Sequence, residues 1–150
     1  LDCSHDAFHG AYSAFNRLRQ FVCAATGPDG SYPPHYQYTA GGDLQDGPNG
    51  LLLRRTDLDD KMFYIGDEYS QESHPGLWGF LTHSDCDGEI APEMCIKVAD
   101  DLERLLPKME AMTWASHGHI AARGGFLEVV RKFIAGCRAA AAANEPLAFH

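Results

Sequence analysis

Three stretches of this chain repeat their apolar residues three and four positions apart, a spacing that commits most of its hydrophobic side chains to helix faces. From Asp6 to Thr26 the stripe runs Phe8, Ala11, Phe15, Leu18, Val22 and Ala25. Ser4 stands where a cap belongs, and Gly27 where a left-handed residue would close the last turn. From Pro92 to Leu106 the buried face is Cys95, Val98, Ala99, Leu102, Leu105 and Leu106. Pro92 suits the first helical position, Glu93 the positive end of the helix, and Pro107 is expected to stop it. From Phe126 to Ala143 the stripe is Phe126, Val130, Phe133, Cys137 and Ala140, followed by an alanine tail of high helix propensity.

The first two helices are separated by a different signal. Leu51–Arg55 and Met62–Ile65 are short apolar or aromatic runs bounded by turn residues, and Thr56–Asp60 can join them as a hairpin. His35–Thr39 and Leu77–Leu81 are weaker strand candidates, the second equally readable as a helical turn. Gly41-Gly42 and Asp46–Gly50 are breakers. The expected fold class is α+β, with three main amphipathic helices packed on a small antiparallel sheet in a single globular domain over 1–150. A chain of 150 residues has length enough for a real core without covalent staples.

Charge and cysteine usage narrow the setting. Between Asp43 and Glu110 stand 16 acids and 6 bases, and the remainder holds 5 acids and 6 bases. An acidic middle disfavours nucleic acid, whose backbone calls for clustered Lys and Arg, and suits a basic partner surface or a cation. The five cysteines (Cys3, Cys23, Cys86, Cys95, Cys137) are odd in number and contain no C-x-x-C pair. Reduced thiols in a cytoplasm are therefore expected, with Cys23 and Cys137 as small apolar residues on helix faces. No apolar run approaches the roughly 18–20 residues that cross a bilayer. Nor does a basic region followed by an apolar stretch open the sequence.

The densest polar cluster is His83-Ser-Asp-Cys-Asp-Gly-Glu-Ile-Ala-Pro-Glu93. Its alternating acids before a glycine are similar to the calcium loop of the EF-hand family. In that register Asp85 and Asp87 take the third and fifth positions, but His83 falls where an aspartate is needed and Met94 where a bidentate glutamate is needed. An ordinary EF-hand is thereby excluded. A looser divalent-metal site survives, with His83, Asp85, Asp87, Glu89, His117 and His119 as candidate ligands. The plainer alternative is a structured turn in which the acids bond backbone amides and Pro92 opens the next helix.

Other polar and aromatic groups stand elsewhere in the chain. His117-Gly118-His119 puts two imidazoles on one side of an extended backbone, and His5 and His9 stand one helical turn apart. Tyr36 and Tyr38, on one face of a strand, join Tyr64, Tyr69, Trp78 and Trp114 as rings able to line a pocket for stacking. Cys86 with a nearby histidine is a conceivable nucleophile, although Asp85 and Asp87 would raise its thiol pKa. The chain contains no phosphate loop G-x-x-x-x-G-K-S/T, no G-x-G-x-x-G, no G-x-S-x-G and no H-E-x-x-H.

The stretch Trp78-Gly-Phe-Leu-Thr-His-Ser-Asp-Cys-Asp-Gly-Glu-Ile-Ala-Pro-Glu93, with the acidic helix after it, resembles a family of small proteins from actinobacteria and bacteriophages. The resemblance implies a bacterial or phage cytoplasmic setting and carries no activity with it. The expectation is a small binding or accessory protein that holds a small molecule, cation or protein partner. Its ligand-binding residues would be Tyr36, Tyr38, Trp78, His83, Asp85 and Asp87. The alternatives are a metal-dependent hydrolase of a nucleotide or phosphate ester, with a metal-activated water, and an acidic inhibitor of the immunity type. Whether the chain catalyses a reaction stays open at this point.

Overall fold

The computed structural model describes residues 1–27, 45–47, 50–54, 62–66, 68–84, 87–116 and 118–150, with the backbone alone for 45–47, 50–54 and 62–64. The described elements are α1 (Tyr12–Ala25), β1 (Gln45–Gly47), β2 (Gly50–Arg54), β3 (Met62–Ile65), α2 (Pro75–Thr82), β4 (Gly88–Ile90), α3 (Pro92–Glu110), α4 (Gly118–Ala122), α5 (Phe126–Ala143) and β5 (Leu147–Phe149). Strands β1, β2 and β3 form one antiparallel sheet, and β4 and β5 form a second. The fold is α+β, as the sequence predicts. The two runs pair antiparallel as predicted, Leu51 with Ile65 and Arg54 with Met62, and the connection at Thr56–Asp60 lies outside the described residues. The candidate strand at His35–Thr39 lies outside the described residues.

The three predicted stripes face one another. Helix α3 packs on both α5 and α2, and α1 closes the core against α3, α5 and β3. Phe15 is the hub: its ring lies 5.1 Å from Phe8, 5.6 Å from Phe80, 6.0 Å from Phe133 and 5.7 Å from Phe149, centroid to centroid. Each such aromatic pair adds about 0.5–1.5 kcal/mol beyond the area it buries, so three elements and the segment before α1 are tied to one ring.

Helix boundaries depart from expectation in physically readable ways. Helix α1 begins at Tyr12, six residues later than the apolar stripe suggests. Asp2 and His150 exchange backbone hydrogen bonds of 2.9 Å, and His5 and Asp6 adopt left-handed backbone in a short 3-10 turn, Ser4–Asp6. Ser4 caps no helix; its Oγ accepts the N–H of Ala148 at 2.9 Å. His5 and His9 therefore do not share a helix face: His5 meets Glu145 at 3.3 Å and His9 meets Asp2. Pro107 does not end α3, which runs on to Glu110. Its missing N–H forfeits one bond near the helix end, while Met109, 1% exposed, holds the last turn in the core. Leu77–Leu81 is helix, within α2, and Gly118–Ala122 is helical where an extended loop was expected.

Helix α2 owes its position to a close approach. A Cβ on Gly76 would stand 2.0 Å from the carbonyl oxygen of Lys97, so the two helix backbones touch where only hydrogen fits. No side chain of its own caps α2. Asp101, 3% exposed on α3, does so from outside: its Oδ2 accepts the Leu77 N–H at 2.9 Å and its Oδ1 the Arg104 Nη1 at 3.1 Å.

Candidate functional site

Fixed in this way, α2 delivers the chain into the acidic segment. Thr82 Oγ1 donates to the Trp78 carbonyl at 2.7 Å, and His83 leaves the helix in extended conformation. The His83 ring stacks on Phe149 with centroids 4.0 Å apart and planes at 30°. Its Nδ1 lies 2.7 Å from the Ser84 carbonyl oxygen. A carbonyl only accepts, so Nδ1 carries the hydrogen. The ring also lies close to Gly88, where a Cβ would meet Nε2 and Cε1 at 3.3 Å. Gly88 also holds φ +105°, a backbone that disfavours any side chain.

Beneath this segment lies a residue that the sequence reading passed over. Arg19, 0% exposed, donates from Nη1 to the His83 carbonyl at 2.8 Å and from Nη2 to Asn16 Oδ1 at 3.4 Å. Its guanidinium sits 4.8 Å from the Phe15 ring centroid. The signal was present, for Arg19 is four residues after Phe15 and three before Val22, on the apolar stripe itself. A charge there is ordinarily assigned to solvent, and here it props the end of α2.

The far side of the loop is fastened as well. Ser84 Oγ donates to Asp87 Oδ1 at 3.0 Å and lies 3.3 Å from the Asp87 N–H. Strand β4 then pairs Gly88 with Phe149, Glu89 with Ala148 and Ile90 with Leu147. Ile90 is buried while Glu89 points to solvent, and Glu93 is exposed in the first turn of α3. Among the described residues neither Glu89 nor Glu93 has an ion-pair or hydrogen-bond partner. Two exposed carboxylates, one on β4 and one in the first turn of α3, thus follow a described backbone fastened at Ser84, Asp87 and β5; we call this stretch the ledge.

The remaining candidates are distributed differently. Tyr36, Tyr38, Asp85, Cys86 and His117 lie outside the described residues. Trp78 is a core residue, 6% exposed, with its Nε1 donating to the Tyr69 carbonyl at 2.7 Å. Trp114 packs edge-on against Phe21 and Phe126. His119 is exposed on α4, bordering an open cavity of about 310 Å3 with Ser13, Ala14, Arg17 and Ile120 and none of the loop residues. Among the described residues no three His, Cys, Asp or Glu side chains stand close enough together to hold a metal ion.

The described helices include none long and apolar enough to cross a membrane. Comparison with family models, with curated proteins and with solved structures found no match.

Proposed function

We propose that the chain is a small non-catalytic binding protein, of bacterial or phage cytoplasm, that holds a basic partner surface on the ledge formed by β4 and the start of α3. One observation carries this reading. Glu89 and Glu93 stand exposed, without a partner among the described residues, on a segment that Arg19, Phe149, Ser84 and the β4–β5 pairing hold in place. A backbone ordered before binding loses little conformational entropy when the charges it carries meet a partner. The surrounding acidic stretch adds long-range attraction for a cationic surface. The metal-dependent hydrolase alternative has no observation of its own among the described residues.

A synthetic lysine- and arginine-rich peptide serves as the probe. By calorimetry in low salt, the double variant Glu89→Gln/Glu93→Gln is expected to lose at least about tenfold in affinity, roughly 1.4 kcal/mol. Added salt should weaken the unmodified complex progressively. Glu110→Gln/Glu128→Gln removes the same charge from exposed sites elsewhere and is expected to leave affinity nearly unchanged. Equal losses in the two double variants would reduce the ledge to general acidity and overturn the reading.

A further inference from the structure

Two stretches of this acidic chain are free of acids. Residues 7–27 and 111–127 contain no Asp or Glu and hold Arg17, Arg19 and Arg123, whereas the whole chain carries a formal net charge of −9. The fold brings the two stretches together, for α4 packs on α1 and on α5. Buried Ile120 anchors α4 to the core, and a Cβ on Gly10 would stand 3.4 Å from that of His119. His119 is thereby rooted beside the entry to α1.

The cavity of about 310 Å3 lies where these helices meet, lined by Ser13, Ala14, Arg17, Gly118, His119 and Ile120. Ser13 and Arg17 stand four residues apart on α1 and so share one face of it. Gln20 Oε1 accepts from Arg17 Nη1 at 2.9 Å, and the guanidinium lies 4.8 Å from the Trp114 ring centroid. Those contacts orient the charge and bring no carboxylate with them. A hydroxyl, a guanidinium and an imidazole thus line one cavity from two helices, with Ala14 and Ile120 as its apolar wall. No acid stands among the described lining residues.

We propose that this cavity binds a small phosphate monoester, with Arg17, Ser13 and His119 holding the phosphate and Ala14 and Ile120 supporting the organic part. A phosphate monoester presents three acceptor oxygens and about 1.5–2 negative charges at neutral pH. The planar guanidinium matches two oxygens of such a group, while hydroxyl and imidazole each offer a further donor. A carboxylate, with two oxygens, matches that donor set less fully. The volume lies at the lower end of the roughly 300–1,000 Å3 of small-molecule sites, with room for more than phosphate alone. A long polyanion would meet repulsion from the acidic stretch between Asp43 and Glu110. The charge pattern therefore selects a compact ester over a nucleic-acid strand.

The test titrates the full chain with phenyl phosphate in low salt, followed by calorimetry and amide NMR. Saturable binding is expected, with shifts centred on Ser13, Ala14, Arg17 and residues 118–120. Inorganic phosphate lacks the ring and phenol lacks the anion, and each should bind at least about tenfold more weakly. Arg17→Met keeps a long stem, removes the charge and is expected to cost about tenfold or more. His119→Ala, at an exposed position, should cost about threefold, and it stays readable even where Arg17→Met does not fold. Arg123→Gln removes a charge from the same acid-free stretch but outside the cavity lining, and should leave affinity nearly unchanged. The site is overturned by phenol binding as tightly as phenyl phosphate, or by no saturation up to about 10 mM ester. Unchanged affinity in His119→Ala or in folded Arg17→Met overturns it as well, as does an equal loss in Arg123→Gln. Inorganic phosphate binding as tightly as the ester overturns the choice of an ester. No cationic probe is used, so the outcome is independent of the ledge.

Discussion

The seam between α2 and α3 and the ledge at β4 both use carboxylates, and they use them in opposite ways. On the seam, Asp101 is buried and both its oxygens are taken, one by the Leu77 amide and one by Arg104. On the ledge, Glu89 and Glu93 face solvent and have no described partner. Asp87 lies between these cases, exposed but with one oxygen occupied by Ser84. Residue type does not separate architecture from recognition here; the neighbours of each oxygen do. A carboxylate with its bonding filled from within stabilises the fold, whereas one held in place and left open can add to an encounter.

Substitutions can break this contrast at either end. The largest effect is expected at the seam. Gly76→Ala places a methyl group against the Lys97 carbonyl, and separating the two helices should cost about 3 kcal/mol or more. Urea unfolding measures it, and a midpoint near wild type would show that the helices do not meet backbone to backbone.

Next comes the prop under the ledge. Arg19→Met keeps a long apolar side chain but removes the donor to the His83 carbonyl. The expected loss is about 1.5–3 kcal/mol, with faster amide exchange in the His83–Gly88 segment. Unchanged exchange there would separate Arg19 from the loop.

A smaller, pH-dependent effect tests the interior. Cys23 ordinarily ionises at 9.0 and burial raises its folded pKa. Above that pH the unfolded chain binds fewer protons than the folded one, so stability falls as pH rises. The slope contributed by one such thiol is at most about 1.4 kcal/mol per pH unit. Unfolding curves above pH 9 should accordingly be less steep in pH for Cys23→Ala than for wild type, and parallel slopes would refute the assignment.

The smallest effect belongs to the ledge surface. Glu89→Gln and Glu93→Gln should each alter stability by no more than about 0.5 kcal/mol, because neither side chain has a bond to lose among the described residues. A larger destabilisation by denaturant titration would move these residues to the architectural side of the comparison.

Much of the scaffold was legible because helix formation here follows a local period. Phe126–Ala143 is helical over its whole predicted span, and β2 and β3 pair antiparallel as predicted. What escaped notice depended on distant partners. Leu147–Phe149 carries no strong strand signal, yet it pairs with Gly88–Ile90 and brings Phe149 under His83. Trp78 has the residue type of a binding ring, but its indole N–H is taken by the Tyr69 carbonyl inside the core. Arg19 lay on an apolar stripe in plain view, but its burial makes sense only once the His83 carbonyl stands above it.

From its amino acids alone, the chain determined which residues turn inward along three helices and where acidic charge gathers, since spacing and composition act locally. Tertiary structure decided which acids remain open and which polar groups are consumed in packing. Those outcomes depend on atoms brought together across the whole chain, and no local pattern encodes them.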